Sequence, residues 1–462
     1  MCPAGALSVL LFSSTPFVFC QVSDTAEARP EDVAGQPQEN ALPPGLIQAR
    51  DIPPEMQITK EMYSDAKEIA FRRTGLKPFE DALKSTNPSE EEKKAIDAGV
   101  KYWIYRFTMK KFREEEAPKG QKVGAASKDA PPKERLHDLR KTILNDIKLK
   151  AKTPAAREYL LKAITGRCAE LLDNHFLVRL NIVLLVGHLS SEYPTKPGVE
   201  PPAYASAYAV LLKVVKDDKQ HAAIKIAAVR GLMRICRTGL LPDPNDKRRA
   251  EIALALAAEL KQNDTYWWYQ MVLVECLATA GVTVDPAARN NPVVLDALRE
   301  TIADKKRHWG VRTKAARAVG RLPLDNNMII APTTHAVVQL GYEMAQAYNA
   351  SSKRWEWNYY SRLLFFAFRA EKGESLVLGK RRAGLMEALP NSKEVKEAYE
   401  QVLLIASHVL DADGKQFSKE QLKGFSDWLD SRRPAPANNP VGASPKAEPA
   451  SETKPASTGS AE

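Results

Sequence analysis

Three histidines, His175, His221 and His308, open stretches of similar pattern and so occupy one register of a repeating segment. Imidazole is the commonest metal ligand, which makes a metal line the first chemistry to consider. Packed helices stand about 8–10 Å apart, whereas zinc ligands converge to about 2 Å from one ion. Histidines on three different units cannot share a metal, and they read as polar residues opening a helix. Near the C-terminus, VLDADGKQFSKEQL sets Asp411, Asp413, Gly414 and Glu420 at positions three, five, six and twelve of an EF-hand loop. Position one is then Val409 and the apolar position eight is Gln416, so the first carboxylate is missing. The segment reads as a helix stop with Gly414 in a left-handed cap. Cys168, Cys236 and Cys276 lie in helical patterns without zinc or disulfide spacing and read as small buried hydrophobes. No Gly-rich phosphate loop, nucleophile elbow, H-E-x-x-H or haem-attachment pattern is present. The chain therefore carries no positive sign of catalysis, and no cofactor is expected.

Basic and aromatic residues are more informative. Lys314, Arg317 and Arg321 are spaced by three and four, as are Arg230, Arg234 and Arg237, so each set shares a helix face away from the apolar stripe. The chain has 67 Lys or Arg against 57 Asp or Glu, a net charge of +10. Residues 205–322 alone hold 20 basic against 12 acidic residues. The expectation is a continuous positive strip that docks an acidic protein or an anionic polymer. Five of the seven tryptophans, including Trp267 and Trp309, open helices in the same region, where aromatic and Arg side chains are common binding anchors.

The elements that position these residues recur about every 45 residues. Segments starting at His175, His221, Tyr266 and His308 place apolar or small residues at matching steps of four, three, one and three. The first set is Val178, Ile182, Leu185, Val186 and Leu189, and the last is Val311, Ala315, Ala318, Val319 and Leu322. Those steps define one helix face. Each is preceded by a second apolar helix, near Ala155–Leu172, Ala203–Val215, Glu251–Leu260 and Val293–Ile302, and a fifth pair reads at Thr333–Tyr348 and Arg354–Phe368. A pair cannot bury its apolar faces alone, so stacked neighbours make the core. The fold expected is all-α, an α-solenoid of stacked antiparallel helix pairs.

With DNHFLVRLNIVLLVGHL supplying Asp173, Val178, Arg179, Gly187 and Leu189, and VRTKAARAVGRL beginning at Val311, the chain resembles the HEAT-repeat family over about 155–370. That resemblance implies a scaffold whose second helices line the inner surface. Lys225 replaces the motif Arg in unit two, Gln270 follows Asp264 in unit three, and Lys306 holds the Asp place in unit four, so a regular Asp-Arg ladder is not expected.

Outside the repeats, residues 1–20 form a candidate signal peptide, an uncharged apolar stretch of secretory length ending at Cys20. Residues 21–54 read as a disordered arm. Residues 55–150 read as a helical region with a flexible linker near 117–133, and Ser89 caps a helix that begins Glu90, Glu91, Glu92. The repeats span 151–372, further helices 373–431, and residues 432–462 form a Pro/Ala/Ser tail with disordered composition. The apolar run within residues 1–20 is too short to span a bilayer, and no later segment has 18 uninterrupted apolar residues. The function expected is a noncatalytic, exported scaffold that binds a protein or an anionic envelope polymer. The alternatives are an enzyme subunit whose site a partner completes, and an intracellular nucleic-acid-associated scaffold, which requires the chain not to be exported.

Overall fold

Ser89 begins the first long helix as its sequence dictates. Its hydroxyl accepts from the Glu92 amide at 3.3 Å while the Glu92 carboxylate accepts from the Ser89 amide at 2.7 Å, a reciprocal cap that satisfies two orphan donors. The computed structural model describes residues 52–112, 135–194, 198–240, 246–262, 266–288, 291–324, 328, 330–351, 355–372, 383–411 and 414–434. The candidate signal segment 1–20, nearly all of the arm, the 117–133 linker, the tail from 435, and Asp264 and Asp413 lie outside these residues.

In chain order the helices are α1 (Asp65–Ala70), α2 (Leu76–Ala82), α3 (Glu90–Tyr105), α4 (Leu136–Lys150), α5 (Pro154–Ala169), α6 (Phe176–His188), α7 (Tyr208–Lys216) and α8 (Ala222–Arg234). They continue with α9 (Lys247–Gln262), α10 (Trp267–Ala280), α11 (Val293–Ala303), α12 (Trp309–Val319), α13 (Ala331–Ala350), α14 (Glu356–Phe368), α15 (Lys393–Asp411) and α16 (Lys419–Ser431). A π-turn at Phe71–Gly75 joins α1 to α2. The described residues contain no strand, only two isolated bridges. The protein is all-α, and its helices stack in pairs as the repeat pattern requires.

Two rows result. The second helices α6, α8, α10, α12, α14 and α15 pack each on the next, and the first helices α7, α9, α11 and α13 form the other row, closed by α16 on α13. The row of second helices, here called the inner row, is the more closely packed. All twenty stripe residues of the four aligned units are buried, from Val178 to Leu322. At about 1.5–3 kcal/mol for each fully buried large aliphatic side chain, that stripe is the main force holding neighbouring units together.

Close packing between units also explains two small residues. A Cβ on Gly231 falls 3.0 Å from the Gly187 Cα and 2.7 Å from Leu211, so α6 and α8 cross where neither carries a side chain. A Cβ on Gly320 falls 2.1 Å from the Ala367 carbonyl oxygen, which places the same requirement between α12 and α14.

The packing has no break at residue 150. α3 packs on α5 and α4 on α6, so the N-terminal helices continue the stack, and one core cluster runs from Met56 to Leu429. The chain before α1 is fastened to the first repeat where Lys60 pairs with Asp173 at 2.6 Å and the Asn174 side-chain amide donates to the Lys60 carbonyl at 2.9 Å.

Candidate functional site

The repeated histidines cap the second helices. In each, the ring Nδ1 accepts the backbone N–H two residues on: Leu177 to His175 at 3.1 Å, Ala223 to His221 at 3.2 Å, and Gly310 to His308 at 3.1 Å. One exposed donor of the first turn is thereby satisfied. The rings also join neighbouring units. Phe176 meets His221 edge-on at 5.2 Å, and Trp267 stacks on His308 at 4.3 Å. Trp309 packs edge-on to Trp357 at 5.7 Å and lies beneath the Arg312 guanidinium at 5.0 Å. Trp267 and Trp309 are half-buried in this edge packing.

Four residues after each opening position stands a buried polar side chain, Arg179, Lys225, Gln270 and Arg312 in turn. Every one of them ties its unit to the next. Arg179 reaches Gln220 at 3.5 Å, and Lys225 meets Glu259 at 2.6 Å, where the Tyr269 hydroxyl also donates at 3.1 Å. Gln270 accepts from Arg307 at 3.1 Å, and Arg312 donates to Glu343 at 2.6 Å. Sequence comparison with the repeat motif gave no regular ladder here. A ladder nonetheless exists, built in turn from Arg–Gln, Lys–Glu, Arg–Gln and Arg–Glu contacts, with the donor supplied by the next unit at the third. Burial alone raises the Glu343 carboxyl, but hydrogen bonds from Arg312 and Gln339, with Lys305 nearby, hold it below its ordinary value.

The continuous basic strip expected of Arg230, Arg234, Lys314, Arg317 and Arg321 does not form. Arg321 is only 2% exposed, and its guanidinium donates to the carbonyls of Phe366, of Arg317 at 3.0 Å and of Arg369 at 3.4 Å. Arg234 donates to Leu189 at 2.8 Å, Gly187 at 3.3 Å and Pro201 at 2.9 Å, and to the Ser190 hydroxyl at 2.8 Å. Both arginines close off carbonyls left over at helix ends and loops of a neighbouring unit, where a cation also suits the helix dipole. Lys314 is ion-paired with Glu275 of the preceding unit, and Arg317 pairs with Glu371 at 2.7 Å. Arg237 pairs with Glu200 at 2.7 Å. Arg230 is exposed. The spacing that put these residues on one face is correct. That face meets the loops of adjacent units along much of its length, so most of its charge is used between repeats.

Arg249, which sequence patterning did not single out, does the same. It is buried and donates to the carbonyls of Cys236, of Leu240 at 3.1 Å and of Ala280 at 2.8 Å. Cys168, Cys236 and Cys276 are buried free thiols. Burial, and then the neighbouring Cys236 thiol, push the Cys276 thiol up. That disfavours the nucleophilic thiolate. Gly414 has the left-handed backbone expected of it, with φ 82°.

Among the described residues, the exposed large aromatic side chains, Trp355 and Tyr359, both lie on α14. Trp355 at its N-cap is 77% exposed and Tyr359 is 40% exposed. Arg362 is also exposed. The steps of four and three put all three on one outward face. Beside them stand the Lys314–Glu275 and Arg317–Glu371 pairs. Burial and the nearby Glu275 raise the Tyr359 phenol. Trp355 is one of the five tryptophans that the sequence places at helix openings, whereas Tyr359 and Arg362 were passed over. Their signal was an i, i+4, i+7 spacing off the core stripe, in the unit least faithful to the repeat. A separate open groove of about 430 Å³ lies between α4 and the loop after α6, lined by Leu144, Lys148, His188, Tyr193 and Arg234 among others.

No helix among the described residues is long and apolar enough to cross a membrane. Comparison with protein families, curated proteins and solved structures finds no match to this chain.

Proposed function

We propose that the chain is a noncatalytic HEAT-like scaffold that docks a protein partner on the inner row, at Trp355, Tyr359 and Arg362 of α14 and the paired charges beside them. The observation that carries this reading is the contrast along the row. Four of the five basic candidates are engaged inside the protein, while a Trp, a Tyr and an Arg share one outward face. Those three residue types dominate protein-binding hot spots, where amphipathic rings and a guanidinium bury area and keep hydrogen bonds. A surface with both charge signs fits a protein partner better than a uniform polyanion, which needs unpaired cations in series. The apolar segment 1–20 supports an exported scaffold, and N-terminal sequencing of the mature chain tests that part, with a start at Gln21 for it and an intact Met1 against it.

The docking is tested by affinity capture from an envelope extract with wild type, the Trp355→Ala/Tyr359→Ala/Arg362→Ala variant and Arg230→Glu. The triple variant is expected to lose the captured protein and Arg230→Glu to keep it. Capture that depends on Arg230 and collapses with rising salt instead supports a polyanion.

A further inference from the structure

Among the described residues, the last helix of the inner row, α15, packs on α14, on α13 and on the short helical turn Leu385–Ala388. Val395, Ala398, Val402, Ile405 and Val409 are buried and seat it on α14 and α13. The opposite face carries Lys396, Glu400, Leu403, Ser407, Leu410 and Asp411 within one arc, with Leu404 at its edge, because steps of four and three stay on one side of a helix. Leu403 is 37%, Leu404 59% and Leu410 41% exposed. A repeat array ordinarily ends in a polar outer face. Three exposed leucines on its terminal helix mark an interaction surface.

The chain's own tail does not suit it. Residues 435–462 contain no Leu, Ile, Met, Phe, Trp or Tyr to bury against these leucines. The charges around them fit a second copy. A two-fold axis passing between Leu403 and Leu404 sets Lys396 opposite the partner's Asp411, Glu400 opposite the partner's Ser407, and Leu403 against the partner's Leu404. A parallel arrangement sets Lys396 against Lys396 and Glu400 against Glu400, which repel. Lys396 and Asp411 are both exposed, and among the described residues neither makes an ion pair within the chain. The small Ser407 lets the two helices approach.

We propose that the protein forms a two-fold homodimer by antiparallel packing of α15 on α15, an isologous contact in which the same face serves both copies. Sedimentation velocity of the full chain across a concentration series tests it. Wild type is expected to pass from 51.2 kDa to twice that mass. Leu403→Glu/Leu404→Glu is expected to stay monomeric at every concentration with unchanged helicity, since both side chains face solvent. Lys396→Asp alone and Asp411→Lys alone each move the midpoint upward by about tenfold, since each puts like charges opposite one another at two symmetric places. The Lys396→Asp/Asp411→Lys double variant restores it. A wild-type chain that is monomeric throughout overturns the proposal, whatever else then covers the face. So does a dimer that survives the leucine changes, or a double swap that fails to restore association.

Discussion

At the scale of single residues, position on a helix face told less than the partner across the unit boundary. Arg230 lies on α8 and Arg321 just past the end of the matching helix α12, yet one faces water and the other is buried and supplies hydrogen bonds to the carbonyls of Arg317, Phe366 and Arg369. Arg321→Ala is therefore expected to destabilise by about 1–3 kcal/mol, the cost of leaving buried acceptors unsatisfied. Arg230→Glu should stay within about 0.5 kcal/mol of wild type. Denaturant melts of the two variants check this, and equal midpoints remove the distinction. Sequence could not make it, because whether an arginine at a helix end is covered depends on loops contributed by the next unit. Glu343 gives a second residue-scale test. Its folded value lies below the ordinary 4.5, so the stability it adds is complete above that pH and is lost as pH falls through the lowered value. Glu343→Gln should flatten the acid limb of stability below about pH 4.5. An unchanged limb means that the Arg312 pair contributes no pH-dependent stability.

At the scale of elements, the helix pairs were legible because twenty stripe positions repeat at fixed steps, and the structure buries all of them. The caps were half legible. The common register of His175, His221 and His308 was visible, but histidine is not among the preferred N-cap residues, so its ring nitrogen was not recognised as the acceptor. His221→Ala should cost about 1 kcal/mol through the lost cap, with a further loss from the ring contact to Phe176. His221→Asn should recover the cap and not the ring contact. Thermal melts of the pair separate the two parts, and an Asn variant no more stable than Ala excludes capping as the role. The ladder of Arg179, Lys225, Gln270 and Arg312 was hidden for a different reason. The motif comparison looked for fixed residue types, whereas the structure requires only that each buried polar group find a partner in the next unit.

At the scale of the whole molecule, four of the five residues that looked like a docking strip are engaged between units, and the docking surface we propose is instead the outward face of α14. That shift follows from the architecture. Stacked units must satisfy helix ends and loop carbonyls between repeats, and arginines at the ends of second helices are placed to do so, while a helix in the least regular unit keeps an unused aromatic face. Site-specific photocross-linking tests this assignment most directly, with a benzophenone side chain placed in turn at Tyr359 and at Arg230 on the inner row, and at Lys213 on the outer row. The account predicts a discrete protein adduct from position 359 and none from 213, with 230 weak or silent. An adduct from position 230 or 213 with none from 359 contradicts it.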